Sequence, residues 1–113
     1  MDAKNSLEQL QQRIDFIKAI DALKEVERKT YLLSESRWEN SAEHSWAVAT
    51  FALTLADYAP PSTDINRVIH MLLLHDIVEV DAGDALLYDD AARAAKAIEE
   101  KAAADRIFGL LPA

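Results

Sequence analysis

Two histidines and two carboxylates fall where helical periodicity asks for apolar side chains. Residues 70–84 read HMLLLHDIVEVDAGD. Ile65, Val68, Ile69 and Leu72 set an inward stripe. Three and four residues further on, that stripe reaches His75 and Asp76. Glu79 lies four past His75 and three past Asp76, so it continues the same face. Upstream, Val48, Phe51 and Leu55 set a second stripe, and His44 stands four residues ahead of Val48. Both histidines thus head apolar faces that should meet in a core. A buried carboxylate costs several kcal/mol unless it is paired or bound to a cation. A divalent metal ion would satisfy all of these groups at once. Neutral imidazole suits Mn, Fe, Co, Ni or Zn, and the carboxylate adds hard-oxygen character that also admits Mg. Neighbouring residues on a helix diverge by about 100°, so His75 and Asp76 would hold one ion from adjacent directions.

The competing reading is a hydrogen-bonded core histidine, the usual fate of one histidine on an apolar face. Two histidines with an aspartate and a glutamate on the inner faces weigh against it, and the spacing alone leaves both readings open. His70 falls off the stripe and reads as a boundary residue. Asp57, Asp89, Asp90 and Asp105 read as solvated or capping groups, and Trp38 and Trp46 as packing residues.

The elements that must carry these residues are helical. With only two glycines and three prolines, and with alanine, leucine and glutamate frequent, the chain points to an all-α fold. A first helix is expected over 6–26, with Leu7, Leu10, Ile14 and Ile17 inward. Residues 27–40 lose the period and read as a loop. A second helix is expected over 41–58, opened by a capping box of Asn40 and Glu43 and closed by Pro60-Pro61. A third, capped by Ser62 or Thr63 with Asp64 near its positive end, should run to about Val80. Gly83 and its acidic neighbours form a loop, and a fourth helix from Asp89 or Asp90 ends near Phe108, with Gly109 as the stop.

Length and charge bound the function. The 113 residues fit one domain. The chain has no cysteine, hence no disulfide framework and no thiolate metal site. Its start is polar and unlike a signal peptide, and no apolar run nears the roughly 18 residues of a membrane span. A soluble, cytoplasmic protein is the expectation. The net charge of −8 argues against a nucleic-acid polymer or an anionic membrane as partner. A small anionic substrate is compatible with that charge if a metal or the local cluster Lys24, Arg28, Lys29 and Arg37 receives it.

The segments RWENSAEHSWAVA and MLLLHDIVEVDAGD together resemble the HD-domain metal-dependent phosphohydrolases, in particular the 5′-deoxynucleotidase-like branch. The Glu43-His44 and His75-Asp76 pairs, Glu79 and the turn Asp81-Ala82-Gly83-Asp84 carry the likeness. It extends over about residues 10–112. It implies an HD-domain helical bundle of about four to five helices and a divalent metal held by His44, His75 and Asp76. It places Glu79 and Asp84 at the attacking water or the leaving group, as the catalytic carboxylates. It places Lys29 and Arg37 on the substrate: Arg37 matches the R-x-E-N pattern, and Lys29-Thr30 stand where deoxynucleotidases carry Arg-Trp. The charge is kept there and the aromatic plate is lost.

The resemblance also implies a last aspartate ligand on a helix beyond residue 113, so the sequence looks like an HD domain incomplete at its C-terminus, with weak metal binding and little activity of its own. Asp105 is not assigned that role. Homodimers are implied as well. The expected reaction is hydrolysis of a nucleoside 5′-monophosphate or a related small phosphomonoester. The alternative is a non-catalytic HD scaffold serving regulation or interaction, against which the retained Glu79 and Asp84 argue. Cyclic-nucleotide or alarmone hydrolysis is a third reading, disfavoured because no further motif is present.

Overall fold

The structure is a computed structural model and describes residues 3–83 and 89–113. Helix α1 (Ala3–Ile20) runs into a 3-10 turn over Asp21–Glu25, followed by strands β1 (Glu27–Tyr31) and β2 (Trp38–Asn40). Helices α2 (Ser41–Thr54), α3 (Ile65–Leu74), α4 (Glu79–Ala82) and α5 (Asp90–Phe108) complete the chain. The fold is the expected all-α one with a small hairpin added.

The hairpin corrects the reading of 27–40 as a loop. β1 and β2 pair antiparallel, with Glu27 opposite Asn40 and Tyr31 opposite Trp38. The connecting turn closes through Leu32 N–H to Arg37 O at 3.0 Å, with Glu35 left-handed at φ 61°. The strands have almost no apolar alternation because only one face touches the body. Within β1, Arg28 alone is half-buried while its neighbours stand in solvent.

Helix α2 begins as the sequence implies. Asn40 accepts from the Glu43 N–H at 2.9 Å, and the Glu43 carboxylate accepts from the Asn40 N–H. Its buried face is different, however. Ser41, Ser45 and Ala49 point inward, while Phe51 and Leu55 remain 62% and 54% exposed. Residues 47–56, AVATFALTLA, are apolar nearly all round, so periodicity does not select a face. The small residues do, with Ser41 bonded to Val26 and Glu79 from distant segments.

Helix α3 is capped by Asp64, which accepts from Arg67 N–H at 3.1 Å. Its inward stripe is the expected one, but the helix stops at Leu74 instead of reaching Val80. From there the chain tightens into i→i+3 bonds: Ile77 to Leu74, Glu79 to Asp76 and Val80 to Ile77. Three residues per turn replace 3.6, which carries Asp76 and Ile77 inward and turns His75 toward the surface. Gly83 then ends α4 at φ 73° and ψ 171°, a region open essentially to glycine alone.

The core lies where α1, α4 and α5 meet. Ile77, Ala103 and Ile107 are buried there, flanked by Phe16, Ile20, Val78, Val80 and Phe108. Phe16 and Ile20 in the C-terminal turns of α1 take part; Leu7 and Leu10 lie ahead of those turns and Ile17 off their inward face, and all three are exposed, contrary to the expected stripe. Arg106 of α5 clasps Asp81 of α4 at 2.6 and 2.8 Å. Lys96 donates to the carbonyl of Ala82 at 2.7 Å and also to that of Gly83. Together these contacts fix the turn that carries Glu79 to the longest helix. Among the described residues no helix is long and apolar enough to cross a membrane.

Ile107 has no exposed surface, so Ile107→Ala is expected to cost about 2–5 kcal/mol in urea unfolding. The hydrogen bond from Arg106 holds the Asp81 carboxyl below its ordinary 3.8, against a smaller opposing effect of burial. A carboxyl with a depressed folded pKa contributes stability above its unfolded value, lost as pH falls through the folded one. Asp81→Asn should therefore lower the melting temperature by a few degrees at most at pH 7. The gap from wild type should close as the pH drops below 3.8.

Candidate metal centre

Four elements converge at one edge of the bundle. β1 supplies Arg28, β2 supplies Glu39, α2 supplies His44, and the tightened turn after α3 supplies His75 and Asp76. One ligand atom each from His44, His75 and Asp76 lies within 4.8 Å of the others, and the two imidazole centroids are 6.1 Å apart. The structure thus brings together the three residues the sequence singled out. It does so at the rim rather than deep in the core: the His75 side chain is 41% exposed, Asp76 only 12%.

Hydrogen bonding fixes how the two rings face. His75 Nδ1 is 2.6 Å from the carbonyl oxygen of Leu72. A carbonyl only accepts, so Nδ1 carries the proton and Nε2 presents a lone pair. That Nε2 lies 3.2 Å from Asp76 Oδ2. Two acceptors therefore face each other and need a second proton or a cation between them. His44 Nδ1 is 3.1 Å from Glu39 Oε1, so it donates to that carboxylate and leaves its own Nε2 as the lone pair. Asp76 is otherwise met by Arg28 Nη1 at a long 3.4 Å. Arg28 Nε stands 3.6 Å from Glu39 Oε1 and has no hydrogen-bond partner among the described residues.

Glu79 lies in the next turn, its carboxylate accepting from Ser41 Oγ at 2.7 Å. Lys29 and Arg37 make their contacts elsewhere. The Lys29 ammonium stands 5.0 Å over the Trp38 ring. Arg37 forks onto Glu43 at 2.7 and 2.8 Å, which raises the arginine and lowers the carboxyl from their ordinary pKa values. Strand alternation explains the difference: residue 28 faces the site and residue 29 the solvent. Asp84 lies outside the described residues. Sequence reading missed Glu39 and placed Arg28 only in a general basic cluster. A period-2 reading of 27–31 would have separated Arg28 from Lys29. Glu39 carries no periodic signal, since it gains its role through the strand pairing.

Residues 20–113 match the family model described as HD domain. The chain belongs to the HD domain family. It is 30% identical over 99 residues to the 5′-deoxynucleotidase HDDC2 of Danio rerio and 29% over 100 residues to that of Xenopus laevis. These matches cover 87% and 88% of this chain but 48% of each relative, so the chain spans about half their length. The crystal structure of a predicted metal-dependent phosphohydrolase from Magnetospirillum magnetotacticum MS-1 superposes with a TM-score of 0.85 at 50% identity. That match covers 93% of this chain and 52% of the other.

The family implies a divalent metal, and the residues fit one. Ligands about 2.0–2.1 Å from a shared ion sit roughly 3.0–3.4 Å apart, the spacing between His75 Nε2 and Asp76 Oδ2. Each imidazole has its other nitrogen bound to an oxygen acceptor, as metal-binding histidines do. The two-imidazole, one-carboxylate set suits a borderline transition ion better than calcium. On this geometry, Glu39→Ala should weaken Mn²⁺ or Co²⁺ affinity by about 10–100-fold. Isothermal titration would check it, and unchanged affinity would remove Glu39 from the support of His44.

Proposed function

We propose that the chain forms the metal-binding part of a phosphohydrolase acting on nucleoside 5′-monophosphates or related small phosphomonoesters. The observation that carries this reading is the approach of His75 Nε2 to Asp76 Oδ2 at 3.2 Å, with His44 beside them. The relatives favour nucleotides among phosphomonoesters, since two of them are 5′-deoxynucleotidases. The sugar preference is not carried over with them, because Thr30 stands where the family's aromatic plate would be.

In this reading His44, His75 and Asp76 hold the ion, and Glu39 and the Leu72 carbonyl keep the imidazoles turned toward it. When bound, the ion would supply a Lewis acid and a water of lowered pKa. Arg28 would then play two parts. It neutralises Asp76 and Glu39 at rest, and it offers a half-buried guanidinium to an incoming phosphoryl oxygen. This cation matters in a chain of net charge −8. Glu79 would take the proton of the attacking water or return one to the leaving oxygen, with Asp84 supporting it. Lys29 and Arg37 would act from the hairpin rim, where they add positive potential without touching the cluster. A second copy of the chain would complete the assembly as a homodimer, covering exposed apolar residues such as Leu7, Leu10 and Ile17.

The test, on a form of the protein long enough to carry the last aspartate that the resemblance implies, is phosphate release from a panel of nucleoside monophosphates and simple phosphomonoesters with Mn²⁺ or Co²⁺ added. Activity should depend on the metal and fall to background in Asp76→Ala. Arg28→Gln should raise KM more than it lowers kcat. Metal binding without hydrolysis of any panel member would instead leave the chain as a non-catalytic HD module. Light scattering reads the dimer directly.

A further inference from the structure

We infer that Ser41 is a positioning residue for Glu79, an assignment that rests on the catalytic role proposed for that carboxylate. Ser41 has no exposed surface at all. Burying a hydroxyl is unfavourable unless it is hydrogen-bonded, so a serine here, where alanine would pack, calls for a specific partner. The partner is distant in sequence. Ser41 Oγ donates to Glu79 Oε2 at 2.7 Å across 38 positions. That length is typical of a hydroxyl donating to a charged oxygen.

Ser41 itself has little freedom. Its N–H donates to Val26 O at 2.8 Å, which ties it to the segment entering β1. It directly follows Asn40, whose capping box with Glu43 sets the start of α2. It also stands three residues ahead of His44. From the other side, Glu79 N–H donates to Asp76 O at 2.9 Å. Ser41 therefore locks the proposed proton carrier of one segment to the histidine-bearing helix of another. Ser41 thereby helps fix the placement of the Glu79 carboxylate relative to the segment that carries His44. The hydroxyl proton stays on Oγ throughout: Ser41 orients Glu79 and exchanges nothing with the substrate. Without that donor the carboxylate would lose one of its fixed contacts and spend less time in this rotamer, and proton transfer would slow in proportion to the time spent misplaced.

The experiment compares wild type, Ser41→Ala, Ser41→Thr, Glu79→Gln and the Ser41→Ala/Glu79→Gln double variant in that same extended form of the protein. With Mn²⁺ and a hydrolysed nucleoside monophosphate, Ser41→Ala should lower kcat about 10–100-fold and leave KM and Mn²⁺ affinity unchanged. Ser41→Thr, which keeps the donor, should recover most of kcat. In the Glu79→Gln background Ser41→Ala should cost nothing more. Side-chain ¹³C relaxation of Glu79, measured without metal or substrate, should show larger amplitude motion in Ser41→Ala than in wild type. Should Ser41→Ala unfold, Ser41→Cys keeps the volume with a weaker donor and takes its place. An equal loss of kcat with and without Glu79, or Glu79 equally ordered in both proteins, overturns the inference. Wild type inactive on every phosphomonoester overturns the phosphohydrolase reading instead, and the relaxation data still decide whether Ser41 holds Glu79.

Discussion

The Asp76 carboxylate is the constraint around which the site is built. It is mostly buried, and its partners among the described residues are a lone pair from His75 and a distant guanidinium nitrogen from Arg28. A charge withdrawn from water in this way is stable only if something positive sits beside it. Every neighbouring element contributes to that end. The helix tightens at Leu74 so that Asp76 turns inward, β1 brings Arg28, and α2 brings His44. The hairpin itself is explained by this demand. It buries little apolar surface, and its half-buried side chains are Arg28, Leu32, Trp38, Glu39 and Asn40, two of which are charged and meet the site. Its role is to deliver Arg28 and Glu39 to one edge of an otherwise helical bundle.

Much of this was legible in the chain. The capping box at Asn40, the inward stripe of α3 and the limits of α5 follow from local rules, because each depends on residues within a turn or two. The grouping of His44, His75 and Asp76 was expected as an extension of two periodic faces, but only the stripe of α3 is the expected one; Phe51 and Leu55 of α2 are exposed and the pitch changes before His75. What was not legible depends on pairing over distance. β1 and β2 are five and three residues long, too short and too polar for alternation to show. The buried face of α2 could not be chosen from a segment that is apolar all round; Ser41, Ser45 and Ala49 are buried through packing with segments distant in sequence. The exposure of His75 follows from a change of helical pitch that no residue type in LLLHDIVE announces.

The same distinction separates the cations. Lys29 and Arg37 match family positions by sequence, yet the structure commits one to an indole face and the other to Glu43. Arg28, one residue from Lys29, is the cation that reaches the carboxylates. A one-residue step along a strand reverses the face presented, so the two neighbours reach different surroundings. The chemistry favours Arg28 on its own terms. A guanidinium stays charged when desolvated and offers several donors in a plane, so it can hold Asp76 and Glu39 in the resting state and still meet a phosphoryl oxygen.

Electrostatics then link binding to selectivity. A chain of net charge −8 repels a polyanion over its whole surface. That repulsion is screened beyond about 8–10 Å in physiological salt, and it falls mainly on ligands that must lie along the surface. A mononucleotide presents its charge at one end and can place that end against Arg28 and a metal ion while the rest stays in solvent. The acidic surface and the local positive pole therefore act together. The first disfavours nucleic-acid polymers, and under the proposed function the second would admit a single terminal phosphate. Under the proposed function, selectivity for small phosphomonoesters would come from the placement of one arginine and one ion within an acidic surface.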